Sequence, residues 1–199
     1  MVLTELQYFG TISYIKSLFN AKEICFDPNE TFAKMSFKNR TIIASAQGAL
    51  NLSIPIIGGR DQKNSISTIQ IDYSTPWQMH HIKSIQTCYK RAPFFDYYEE
   101  SLLAIINTPV PNLAAYLFLL NEWVQKQLKN NWTIHPFIPG DNQDIYRDPW
   151  MPKNFQQINN PIKYHQVFED QIGFIPNLSI LDLLFCCGGK QAQILLKSS

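Results

Sequence analysis

The chain is poor in the features that most directly announce a function. It has four cysteines, Cys25, Cys88, Cys186 and Cys187, and none forms a Cys-x-x-Cys pair or a zinc spacing. His80 and His81 are adjacent rather than a helical turn apart, and no His-Glu-x-x-His run occurs, so neither a metal nor a cofactor is expected. Only 8 glycines occur in 199 residues, and none completes a strand–glycine-rich loop–helix unit that would cradle phosphate. Lysine and arginine total 17 against 16 aspartate and glutamate, a net charge of +1. That balance removes any bulk electrostatic case for nucleic acid or an anionic membrane, while leaving room for one local anion pocket. No apolar run approaches the roughly 18 residues of a membrane span, so no membrane insertion is expected. The opening MVLTELQYFG lacks the basic region and apolar stretch of a secretory signal. Free thiols in a reducing cytoplasm are the corresponding expectation.

What is present reads as a globular domain with a real core: 45% hydrophobic, 13% aromatic and 17% charged residues. The expected fold class is α/β, a single domain over residues 1–199 with a small mixed sheet that includes a hairpin, packed by helices. Strands are expected near 24–27, 40–46, 49–57 and 66–73. Leu50, Leu52, Ile54 and Ile56 alternate with polar neighbours, the period of a half-buried strand, and Gln47-Gly48 marks the turn before them. Helical spacing appears from Thr11 to Asn20, Trp77 to Lys90, Phe94 or Asp96 to Ile106, Asn112 to Asn130 and Leu178 to Cys187. Thr11, Thr75, Asn112 and either Asn177 or Ser179 suit helix starts. Gly188-Gly189 is expected to stop the last helix and leave the tail from Lys190 peripheral. The stretch 133–161, rich in Pro, Asn, Asp and Gln, reads as irregular after a possible short strand at Ile134. A lid, a partner-facing loop and a reduced remnant of a regular element all fit it.

Chemistry-bearing residues cluster in two places. Glu30, Lys34, Lys38, Asn39 and Arg40 precede the hairpin. Arg40 offers a planar fork for carboxylate or phosphate and Lys34 a point charge, so the pair can hold an anion. The plain structural reading is a solvated face with a Glu30–Lys34 pair. The second group lies around α-helical residues 77–98. His80 is suited to general acid or base work, whereas His81 lies nearer the buried stripe of Trp77, Ile85 and Cys88. Tyr89 and Arg91 can embrace a planar or sugar group, or simply pack a helix corner. Tyr8 precedes the first helix, where a loop can meet a ligand. Asp182, inside a nearly all-apolar helix, must find a donor or face a polar cleft. Cys186-Cys187 in apolar surroundings reads as packing.

Several of these pieces occur together in one known family. Tyr8-Phe9-Gly10 with Tyr14, Glu30-x-x-x-Lys34 followed by Lys38-Asn39-Arg40, and Gly48-x-Leu50-x-Leu52-x-Ile54-Pro55 form the first half. Trp77-x-x-His80, Ile85 to Tyr89, Ala92-Pro93-Phe94-Phe95 with Tyr97-Tyr98, Gln166-Val167-Phe168 and Gly173-Phe174-x-Pro176 running on to Phe185 form the second. In their order they resemble the WbqC-like family, its compact bacteroidal branch in particular, over about residues 6–188. The resemblance implies cytoplasmic work in bacterial surface-polysaccharide and O-antigen biosynthesis on a small-molecule activated precursor. Longer members often carry an early histidine in a His-Gln-Pro-like segment. Here that place reads Thr4-Glu5-Leu6-Gln7, and the histidine is absent.

The leading reading is a group transferase acting on an activated sugar or acyl precursor. His80 and Glu30 are the catalytic candidates, with His80 handling the proton and Glu30 orienting a donor or a lysine. Tyr8, Lys34, Asn39, Arg40, Tyr89 and Arg91 are the substrate-binding candidates. The alternative is a noncatalytic small-molecule-binding or assembly protein of the same pathway. Oligomeric state is not legible.

Overall fold

Two short runs near the start of the chain, Val2–Thr4 (β1) and Glu23–Phe26 (β2), pair in parallel, with Val2 opposite Ile24 and Thr4 opposite Phe26. The structure is a computed structural model that describes residues 1–19, 21, 23–137, 144–145, 149 and 151–198. Parallel strands need a crossover, and helix Ile12–Phe19 (α1) supplies it. The hairpin follows as Arg40–Ser45 (β3) and Gly48–Ser53 (β4). Three helices come next, Trp77–Tyr89 (α2), Phe95–Asn107 (α3) and Leu113–Gln127 (α4). Strands Thr133–Pro136 (β5) and Asp144–Ile145 (β6), a single turn Glu169–Ile172 (α5) and the long helix Ile180–Lys197 (α6) complete the order.

The result is an α/β domain with parallel and antiparallel strands, as the composition and patterning imply. The four parallel strands lie in the order β5-β2-β1-β6, and β3-β4 form a sheet of their own. The chain leaves β1 for β2 on one side and returns to β1 with β6 on the other. The strand order therefore reverses between β1 and β6, and the carboxyl end of β1 lies at the switch point where α/β proteins commonly place ligands.

β3 is buried on both faces. Ile43 belongs to the main core, whereas Ile42 and Ala44 pack in a second cluster with Phe37, Phe155, Ile175 and Leu178. Leu50 and Leu52 on β4 turn inward between exposed Ala49, Asn51 and Ser53. The strand ends earlier than its alternation suggests. Pro55 has no N–H to donate, and only an isolated bridge between Ile56 and Ile71 continues the pairing.

The expected strand over 66–73 is instead a 3-10 turn, Ile66–Thr68, followed by isolated bridges. Thr68 Oγ1 donates to the Ser65 carbonyl and Ser65 Oγ to that of Pro28, so local hydroxyl bonding competes with a ladder. Ile66, Ile69 and Ile71 still reach the core.

Helix starts follow cap chemistry where a cap exists. Asn112 Oδ1 accepts from the Ala115 N–H at 3.0 Å, and Ser179 Oγ accepts from Leu181. Thr75 does not cap α2, which begins after Pro76 without a side-chain bond. α6 lies against α1, α3, α4 and β3. It does not end at Gly188-Gly189. Gly188 takes φ 72, kinking the helix, and the helix then resumes because Ala192 and Leu196, one turn apart, are fully buried. The tail is thus part of the core. Strand β6 lies within the stretch read as irregular. Positions 138–143, 146–148 and 150 of that stretch lie outside the described residues. Among the described residues no helix is long and apolar enough to cross a membrane.

The kink leaves no room for a side chain on its second glycine. A Cβ on Gly189 would meet the Gln127 carbonyl, and one on Gly188 would meet the Phe94 ring at 2.9 Å. Gly189→Ala should destabilise the protein by about 1–3 kcal/mol through overpacking against backbone. Ala192→Gly, at a buried position of the same helix where nothing is overpacked, should cost about 1 kcal/mol from backbone entropy plus the lost burial of one methyl. Urea midpoints for the two variants check the ranking.

Candidate functional site

The carboxyl ends of β1 and β2 carry a dry ion cluster. Lys38 is 1% exposed, yet its ammonium sits 2.8 Å from Glu5 and 2.9 Å from Glu30. The two carboxylates keep 18% of their side-chain surface and the lysine 2%. The ammonium therefore lies behind and the carboxylates in front, and the trio carries a net charge of −1. Burying a charge is tolerated only when it is paired, and here both neighbours are opposite in sign.

The surroundings lock this arrangement. Gln7 Nε2 donates to Glu5 Oε1 at 3.1 Å, and the Tyr14 hydroxyl donates to the Glu5 backbone carbonyl. Gly10 makes room for that reach, since a Cβ there would strike the Tyr14 ring. The Tyr8 N–H donates to the Phe37 carbonyl at 2.9 Å, holding the residue before Lys38 against the chain after β1. The lysine held by Glu30 is therefore Lys38 and not Lys34. The segment between them is a series of turns, with Met35 at φ 57, so helical spacing does not apply. Lys34 instead meets Asp61 at 2.9 Å on the surface, where the pair lowers the aspartate pKa.

Beside the trio runs a buried tyrosine–histidine contact. The Tyr8 hydroxyl and His81 Nδ1 are 2.8 Å apart. Which of the two donates follows from the imidazole tautomer. Trp77 packs edge-on against the His81 ring. Burial pushes the His81 imidazole down to about 4, a bond with the Ser53 backbone opposing and nearby His80 adding to the fall. Burial likewise holds the Tyr8 phenol well above its usual range.

The other sequence candidates lie as follows. His80 is exposed on α2, and Arg91 is exposed just beyond the end of that helix. Arg40 is half-buried, with Nε donating to Ser53 Oγ and a longer contact to Met35 Sδ. Asn39 Nδ2 donates to the Ile54 carbonyl at 2.8 Å and so ties the entry of the hairpin to its exit. Glu5 was not a sequence candidate. The strand before it is three residues long and leaves no periodic trace. A lysine flanked by Phe37 and the apolar strand β3 was the available hint.

Tyr89 is fully buried and belongs to a second polar centre. Its hydroxyl donates to Asp182 Oδ2 at 2.6 Å and accepts from the Ala44 N–H at 2.9 Å. Tyr164 donates to Asp182 Oδ1 at 2.7 Å, and Gln166 Nε2 donates to the Tyr164 hydroxyl. Burial pushes the Asp182 carboxyl up to about 6, against the pull of these donors. The same burial raises both Cys186 and Cys187 and keeps them as thiols. Among the described residues no group of three or more His, Cys, Asp or Glu is placed to hold a metal ion.

The two buried centres respond to pH with opposite sign. His81 charges at 6.5 when unfolded and at about 4 when folded, so its stabilising share is present above 6.5 and lost as pH falls through about 4. Asp182 releases its proton at 3.8 when unfolded and at about 6 when folded. Its share is present below 3.8 and lost as pH rises through about 6. Each is of order 3 kcal/mol over nearly the same window, so they offset each other. Relative to the parent, His81→Gln should lose stability from pH 4 to 6.5, and Asp182→Asn should gain it over that interval. Urea titrations across the window check both slopes. At neutral pH, Lys38→Met should cost about 3–5 kcal/mol because it strands two facing carboxylates. Adding Glu5→Gln to that variant should recover part of the loss in the same assay.

Comparison with curated proteins and with solved structures gives no match. A family model does match, over residues 7–138 and 142–194, a span that takes in Gln7, Glu30, Lys38, His81 and Asp182. On that extent of agreement, the chain belongs to the WbqC-like protein family.

Proposed function

We propose that this protein is a group transferase acting on an activated sugar or acyl precursor in bacterial surface-polysaccharide biosynthesis. The observation that carries the reading is Lys38, almost without solvent exposure and clamped by Glu5 and Glu30 at the carboxyl ends of adjacent parallel strands. Two carboxylates at the front of a shared ammonium suit the deprotonation of an entering hydroxyl or amine. Arg40 and Lys34 flank the same loop and suit the anionic part of a donor. His80, exposed on α2, is the second proton-handling group in this scheme. Membership of the WbqC-like family supports precursor modification in general terms. The compact bacteroidal branch, the O-antigen setting and a cytoplasmic location belong to the same proposal.

A binding or assembly role without turnover is the second reading. It is favoured by a cavity of about 730 Å³ that shares no lining residue with the carboxylate trio.

A thermal-shift screen of nucleotide-sugars and acyl-thioesters, followed by turnover assays on the hits, tests the first reading. Glu30→Gln is expected to reduce turnover by about a hundredfold or more. Arg40→Ala should chiefly raise KM. Unchanged turnover in Glu30→Gln would remove the carboxylate from the reaction, and unchanged turnover in His80→Gln would remove that histidine. Ligand-induced stabilisation without any turnover selects the second reading.

A further inference from the structure

A cavity of about 730 Å³, within the range of small-molecule sites, lies among the described residues away from the carboxylate trio. It opens where α6 breaks at Gly188. Phe94, Tyr97 and Tyr98 from the start of α3 form one wall. Lys129, just past the end of α4, and Lys190 on the resumed part of α6 stand on the cavity as well.

Three observations mark it as built for a ligand. First, eight large apolar side chains are well exposed among the described residues, and three of them line this cavity. Phe94 is 43% exposed, Tyr97 74% and Ile194 53%. Second, its charged lining is of one sign. Lys129 and Lys190 are present, no Asp or Glu lines it, and neither lysine forms an ion pair among the described residues. Third, the backbone is held in unusual geometry on both sides. Lys129 sits at φ 46, where a helix end favours glycine or asparagine. Gly188 sits at φ 72 with the Phe94 ring filling the space of its absent Cβ. A Cβ on Gly189 would come within 3.3 Å of the Tyr98 hydroxyl, so the backbone after the kink passes close to this ring. Gln127 and Gln191 add neutral hydrogen-bonding groups. Cys187 also lines the cavity, but burial pushes its thiol up to about 11, so it offers no nucleophile.

We propose that this cavity binds an aromatic ring bearing an anionic group, of the nucleoside phosphate class. The ring stacks on the exposed parts of Tyr97 and Phe94. The phosphate oxygens meet the ammonium groups of Lys129 and Lys190, which act as point charges on flexible stems. The site is independent of the transferase reading, because it uses neither the carboxylate trio nor His80.

Isothermal titration of the full chain with adenosine 5′-diphosphate, uridine 5′-diphosphate, pyrophosphate and adenosine tests it. Both nucleotides are expected to bind saturably, with pyrophosphate and adenosine each weaker by about tenfold or more. Tyr97→Ala, at an exposed position, should weaken nucleotide binding about tenfold, and the Lys129→Gln/Lys190→Gln pair by at least as much. Lys63→Gln, a surface charge elsewhere, should leave it unchanged. Absence of saturable nucleotide binding overturns the proposal. So does nucleotide binding that survives both changes, and so does pyrophosphate binding as tightly as the nucleotides. Turnover is not measured, so failure here leaves the transferase reading standing, and loss of that reading leaves this one standing.

Discussion

One fully buried carboxyl holds the layers of this protein together. Asp182 sits on α6 with no exposure and takes hydroxyl donors from α2 through Tyr89 and from the segment before α5 through Tyr164. Tyr89 passes the connection on to the Ala44 N–H of β3. Gln166 extends it to the backbone of Ile175 by a bond in each direction. Apolar contacts alone would allow these elements to slide over one another. Directional bonds to a single acceptor do not, because each partner left unpaired inside the core is costly. β3 is thereby placed, and with it the residues just before it, Lys38 and Asn39.

The two polar regions built on this frame are electrically unlike. The trio at the strand ends buries its ammonium and keeps the small exposure it has on the two carboxylates. The cavity at the α6 kink is walled by rings, and the charged residues among its described lining are both lysines. The chain's near-zero net charge conceals this separation. Within a whole-molecule balance of 17 basic against 16 acidic residues, the carboxylate trio and the lysine-lined cavity share no described residue.

Helices with regular apolar spacing and an end signal were legible before any coordinates: Asn112 and Ser179 cap where the pattern begins, and Leu50 and Leu52 point inward as their alternation implies. Strands of two or three residues, β1 and β6, are too short to show a period, so the parallel sheet was mostly invisible. Ile69 and Ile71 do face the core, but alternation alone does not separate a strand from a 3-10 turn and isolated bridges. Gly188-Gly189 was read as the end of the last helix, whereas it is a kink after which the helix resumes. Its outcome depended on Ala192 and Leu196 finding core partners, which is a tertiary fact. The candidate site was half legible. Glu30 and Lys38 both lie in the motif-bearing segment, but their union with Glu5 joins residues 33 positions apart across a turn-rich path. His81 could be placed on a buried stripe, whereas Tyr8, 73 positions away, could not be named as its partner.

β3 has no solvent side: Ile43 serves one apolar compartment, and Ile42 and Ala44 serve another. Most hairpins on a protein surface can creep along their neighbour at modest cost, since one face is water. Here a shift by one position would send every side chain into the wrong compartment, in keeping with the two-residue period of a strand. A shift by two would restore the parity but pull Asn39 off the Ile54 carbonyl. The hairpin therefore behaves as a key with a single seating, and the ammonium two residues before it inherits that certainty of position.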